Sequence, residues 1–105
     1  MRMMMKVNIP VDAGNAAART GALGAKLQQI LADLKPEAVY FVAEDGQRTG
    51  YIFFDLADPS AIPAAAEPFF LAFNASITLT PAMTPQDLAK GAPGIAAAAE
   101  KYGKA

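Results

Sequence analysis

Two runs of β-branched and aromatic residues, Val39-Tyr40-Phe41-Val42 and Tyr51-Ile52-Phe53-Phe54, flank Glu44-Asp45-Gly46-Gln47 in the middle of this chain. Residues of these types suit a pleated, half-buried surface. Asp-Gly between two such runs signals a hairpin, because both central positions of a type I′ turn need positive φ. Segments 37–44 and 48–56 are therefore expected to pair as antiparallel strands. A two-residue turn sets Tyr40 opposite Tyr51 and Val42 opposite Thr49. A three-residue turn shifts that register, and both stay open at this point.

The other elements follow from periodicity and punctuation. Residues 2–9 alternate from Met3 onward: Met3, Met5, Val7 and Ile9 share one face, and Met4, Lys6 and Asn8 the other. That is a strand, ended by Pro10, which has no N–H to give a ladder. Segment 11–34 is predicted helical with a break at Thr20-Gly21. Its second piece carries a stripe of Leu23, Leu27, Ile30, Leu31 and Leu34, and Pro36 stops it. Asp58-Pro59 reads as a cap followed by proline at the first helical position. The helix it opens is expected to bury Ile62, Ala66, Phe69, Phe70 and Phe73 and to kink at Pro68. Residues 75–81 alternate again and predict a fourth strand. Thr84-Pro85-Gln86-Asp87 starts a short helix, Gly91-Ala92-Pro93-Gly94 is expected to break it, and residues 95–102 form a last alanine-rich helix. The reading is one domain over 1–105, with a core of about 1–83 and a helical tail over 84–105.

Composition removes whole classes of chemistry. The chain has no histidine and no cysteine. That excludes disulfides, thiolate nucleophiles, Cys/His zinc sites and histidine general bases. No metal and no cofactor is expected. Nine basic and ten acidic residues leave a net charge of −1, with no basic patch to suggest nucleic acid. The apolar fraction of 53% is largely alanine. No stretch approaches the length of a membrane span, and Met1 to Met5 is too short an apolar run for a signal peptide. A cytoplasmic protein is expected, and near-zero charge with high apolar content suits an oligomer.

The order β-α-β-β-α-β in about 80 residues is the ferredoxin-like split βαβ plan, an α+β fold with a four-stranded antiparallel sheet. The chain resembles small bacterial proteins of the dimeric α+β barrel superfamily. The resemblance rests on Met5-Lys6-Val7-Asn8-Ile9-Pro10, Ala13-Gly14-Asn15, Gly50-Tyr51-Ile52-Phe53-Phe54-Asp55 and Ala66-Glu67-Pro68-Phe69-Phe70. It covers most of the chain and is specific for fold rather than activity. It implies a homodimer, two sheets facing each other, and a possible small-molecule ligand. The superfamily includes cofactor-free monooxygenases, isomerases and haem degraders. Haem binding there commonly uses a histidine, which this chain lacks.

Candidate site residues each carry a functional and a structural reading. Lys6 and Asn8 are expected to point into the barrel beside Ser76, Thr78 and Thr80, as a cationic pocket or as an inter-subunit hydrogen-bond layer. Tyr40 and Tyr51 are either donors to a ligand carbonyl or a cross-strand aromatic pair. Glu67, between Ala66 and Pro68 and beside phenylalanines, is either an acid/base with a raised pKa or a surface carboxylate. Phe70 is a pocket wall or core. Asn74 is a ligand contact or a left-handed cap. Asn15 and Arg19, four apart, share a helix face and are either an anion site or a solvated surface. Two functions compete: a small-molecule binder or cofactor-free enzyme with its pocket between helices and sheet, and a non-catalytic assembly module.

Overall fold

Alternation in residues 2–9 produces the strand around which everything else is arranged. The computed structural model describes residues 1–104. Its elements are β1 (Arg2–Ile9), α1 (Val11–Arg19), α2 (Ala22–Leu34), β2 (Ala38–Glu44), β3 (Gln47–Asp55), α3 (Ile62–Phe73), β4 (Ser76–Pro81) and α4 (Pro85–Tyr102). The sheet order is β2-β3-β1-β4, with every neighbouring pair antiparallel. This is the ferredoxin-like arrangement, with β1 and β3 central and β2 and β4 at the edges.

The hairpin uses the two-residue turn. Asp45 and Gly46 have φ of 52° and 75°, and Glu44 pairs with Gln47. Tyr40 therefore faces Tyr51, and Val42 faces Thr49. The helix break falls where glycine permits it, with Gly21 at φ 76° between α1 and α2. Asp58 accepts a hydrogen bond from the Ser60 N–H at 2.8 Å, capping a single 3₁₀ turn over Pro59–Ala61 that leads into α3. α3 then runs through Pro68 as one helix, and Asn74 closes it as a left-handed cap at φ 51°.

The core lies between one sheet face and the helices. Met3, Met5, Val7 and Ile9 of β1, with Ile52 and Phe54 of β3, pack on Ala65, Phe69 and Phe73 of α3. α1 approaches closely through Gly14, where a Cβ would stand 3.3 Å from the Ile9 side chain and 2.7 Å from Arg48 Nη1. The predicted α3 stripe is corrected at two positions: Ile62 and Phe70 are 37% and 40% exposed, while Ala65 is buried. The buried face of α3 is Ala65, Ala66, Phe69 and Phe73, and at about 100° per residue Phe70 falls at its margin.

The tail also departs from expectation. Residues 91–94 do not break it, and α4 is one helix from Pro85 to Tyr102. A capping box starts it: Thr84 accepts from the Asp87 N–H at 3.1 Å, and the Thr84 N–H donates to Asp87 at 2.9 Å. Pro93 has no N–H to donate to the Ala89 carbonyl, so one helix hydrogen bond is missing there. Gly91, Pro93 and Gly94 make this helix about 5 kcal/mol less favourable than an all-alanine one. Every residue of α4 is exposed. The helix projects from the body, giving a longest extent of 59 Å and a radius of gyration of 17.7 Å, against about 13 Å for a compact chain of this length. Among the described residues no helix is long and apolar enough to cross a membrane.

Candidate functional site

The sheet separates two features of different chemistry. On its helix-facing side, a half-open cleft of about 360 Å³ lies between α2 and the β2–β3 hairpin. Leu23 and Leu27 of α2 form one wall, Phe41 of β2 another, and Val7, Ile9, Ile52 and Phe69 the floor. The cleft exists because the α2 stripe is only partly buried and Gly50, opposite Phe41, adds no side chain. Arg48 is the sole ionisable residue among those lining it. Its Nη1 donates to Asn15 Oδ1 at 3.1 Å, which ties the guanidinium to α1 at the mouth. A second hollow of about 400 Å³ lies beyond the other end of α2, against Phe54, Leu56 and Pro68.

On the open side, side chains at alternate strand positions form cross-strand rows. One row runs Thr78, Lys6, Tyr51, Tyr40 and the next Ser76, Asn8, Thr49, Val42. Lys6 forms an ion pair with Glu44, and the Tyr51 hydroxyl donates to the same carboxylate. Asn8 Nδ2 donates to Thr49 Oγ1 at 3.5 Å, and Thr49 Oγ1 donates to the Gln47 carbonyl at 3.2 Å. The bonds from Lys6 and Tyr51 hold the Glu44 carboxyl below the usual glutamate range. The bond to Glu44 raises Tyr51, and the same partner raises Lys6. These charges are roughly one third exposed, at 34% for Lys6 and 30% for Glu44, so solvent screening keeps each contribution small.

The sign of the pH effect follows. A carboxylate whose folded pKa is depressed contributes stability above its unfolded value and loses it as pH falls through the folded one. Glu44, Glu37 beside Arg2, Asp58 capped by Ser60, and Asp87 bonded to Thr84 all behave this way. Stability is therefore expected to decline on acidification from about pH 4.3 downward. Tyr51 and Lys6 have the opposite sign, so their contributions stand at neutral pH and are lost as pH rises through the folded values. Urea midpoints measured between about pH 5 and pH 2.5 check the acid limb. Glu44→Gln should lose less stability over that window than the native chain.

The structure brings some candidate residues together and separates others. Lys6, Tyr51 and Tyr40 share a row, with Asn8 in the next. Tyr40 does not stack on Tyr51: its ring packs edge-on against Phe53, with centroids 6.4 Å apart and planes at 79°. Asn15 pairs with Arg48 rather than acting with Arg19, which is exposed. Glu67 is exposed and not enclosed by the phenylalanines. Phe70 and Asn74 lie outside the cleft, as do Tyr40 and Glu67. Glu44 and Arg48 were not singled out from the sequence. Once the hairpin register is set, period two places Glu44 on the face of Tyr40 and Val42, and Arg48 opposite Ile9.

No protein-family model matches the sequence, and no curated protein does either. The fold is similar to part of a formyltetrahydrofolate deformylase from Pseudomonas putida KT2440, at a TM-score of 0.49 and 12% identity. That similarity covers 78% of this chain and 29% of the other. The chain thus spans under a third of that protein's length, and a likeness at this level says nothing about activity.

Proposed function

We propose that this protein is a small-molecule-binding module. Its ligand is an apolar or aromatic molecule with one anionic group, seated in the cleft between α2 and the sheet. The observation that carries this reading is the cleft itself: about 360 Å³, within the range of ligand pockets, walled by leucine and phenylalanine with one guanidinium at its mouth. The titratable cluster of Lys6, Glu44 and Tyr51 lies on the opposite side of the sheet and cannot reach that ligand. Binding without turnover is therefore the function this geometry supports, ahead of a cofactor-free monooxygenase or isomerase.

A specific observation favours a second reading beside it. No helix of the chain covers the open sheet face, which exposes Tyr40 at 62% and Val42 at 44%. Two copies facing each other across that surface would bury it and make a dimeric α+β barrel, with the Lys6–Glu44–Tyr51 cluster and Asn8 as an inter-subunit polar layer. This reading makes the protein a homodimer.

The cleft is tested with 8-anilinonaphthalene-1-sulfonate, an aromatic anion of suitable size, titrated by fluorescence. Arg48→Ala is expected to weaken its binding about tenfold, as for loss of one charge-assisted hydrogen bond. Leu27→Trp, which fills the cleft, should abolish it. Native affinity in both variants would exclude the cleft as the binding site.

A further inference from the structure

Two exposed apolar features of the chain lie at opposite edges of one sheet. β2 is an edge strand; its Phe41, on the helix-facing side, is 59% exposed, while Tyr40 and Val42 lie on the open face that a second copy would bury. An uncovered apolar edge of this kind invites pairing with other chains, and proteins normally cover or charge it. α4 leaves the other edge, after β4. Leu88, Ala92, Ile95, Ala99 and Tyr102 recur on it at alternating spacings of four and three, a seam along one helix face. Leu88, Ile95 and Tyr102 are 50%, 60% and 75% exposed. The opposite face carries Gln86, Lys90 and Lys101.

We propose that α4 is an exchanged arm that docks on the β2 edge of a second copy of this chain. A chain cannot satisfy both surfaces alone, because β3 and β1 stand between β2 and β4 and α4 points away from the body. Two copies can. With the open faces together and a two-fold axis along the strands, each β4 edge lies beside the partner's β2 edge. Each arm then starts where the partner's uncovered strand runs. The lengths agree: an 18-residue helix is roughly 27 Å long, and a seven-residue strand roughly 23 Å. The exchange is reciprocal, as a closed two-fold requires. Embedding the seam also offsets the poor helix propensity of Gly91, Pro93 and Gly94, which an isolated helix in water has nothing to oppose.

The arm also completes the cleft. Phe41, Val42 and Ala43 belong both to the exposed edge and to the cleft lining. A docked α4 therefore roofs the open side of the partner's cleft with Ile95 or Tyr102, and each ligand site is built from two chains. Docking rests on the dimer reading above and needs no ligand; the roofing alone rests on the cleft reading.

The absence of cysteine gives a clean test. Ala43→Cys, on the helix-facing side of β2, and Ile95→Cys chains are co-expressed, oxidised and run under non-reducing conditions, with light scattering on the native full chain in parallel. The expected result is a dimer by scattering and a disulfide-linked pair formed only when both variants are present. Cross-linking by Ile95→Cys alone would mean that α4 pairs with α4 and overturn the proposal. A cross-link within one chain carrying both cysteines, without a linked pair in the mixture, would mean that the arm folds back and overturn it equally. A dimer without any cross-link removes the arm but keeps the dimer, whereas a monomer at tens of micromolar removes both. Ile95→Glu, on a residue already exposed within one chain, should leave the circular dichroism unchanged and convert the dimer to monomer.

Discussion

Phe69→Ala is expected to lower the stability of the fold by about 3–5 kcal/mol, the range for truncating a buried aromatic side chain. Phe69 has 0% of its surface exposed and is the point where α3 meets β1 and β3. A domain of this size commonly has about 5–15 kcal/mol in total, so the variant should sit close to unfolding. Phe70→Ala is the control. Phe70 is 40% exposed, and its truncation should cost less than about 1.5 kcal/mol. Urea unfolding followed by circular dichroism measures both. Equal losses would mean that α3 presents a different face to the sheet from the one described. Phe69 also forms part of the cleft floor, so the truncated chain should bind an aromatic probe differently even where it remains folded.

Pro93→Ala should act in the opposite direction and in another place. Proline inside a helix is about 3 kcal/mol less favourable than alanine, since it donates no hydrogen bond and crowds the preceding turn. Among the described residues α4 shares no extensive contact with another element, so the gain should remain local. Amide exchange over residues 89–97 is expected to slow by about 100-fold, since each 1.4 kcal/mol is a factor of ten. The urea midpoint of the body should not move, at protein concentrations low enough to keep the chains apart. A midpoint that rises with the protection would show that α4 unfolds together with the sheet.

The framework was legible because local chemistry and global fold agree in it. Asp45-Gly46 specified a two-residue turn, and that turn set every partner along β2 and β3. The methionine alternation in β1 marked the buried face before any contact was known. Gly21 marked the break between α1 and α2. The structure departs from local punctuation at two places, and tertiary packing accounts only for the second. Gly91-Ala92-Pro93-Gly94 has the composition of a loop, yet α4 continues through it. Phe70 has helical spacing with Ala66 and Phe73, yet the buried face of α3 centres on Ala65, Ala66, Phe69 and Phe73 and leaves Phe70 at its edge. The site was less legible. Arg48 meets Asn15 across 33 positions of sequence, and Glu44 meets Lys6 across an intervening strand. No local period reports contacts of that kind. The pairing of Asn15 with Arg19 followed from helical spacing alone, and spacing shows who shares a face but not who is touched.

The half-buried stripe of α2 has a consequence for how the molecule moves. α2 contains no fully buried residue, whereas α3 contributes Ala65, Ala66, Phe69 and Phe73 to the core. The α2 residues Leu23, Leu27, Ile30, Leu31 and Leu34 pack against the core while staying partly exposed, so α2 is held less deeply than α3. Segments with few buried apolar contacts open at the lowest free energy. α2 and the hinge at Gly21 form the part of the fold able to swing while the rest stays assembled. The cleft beneath it is thus an adjustable space rather than a mould, suited to admitting ligands of differing size through a helix that breathes.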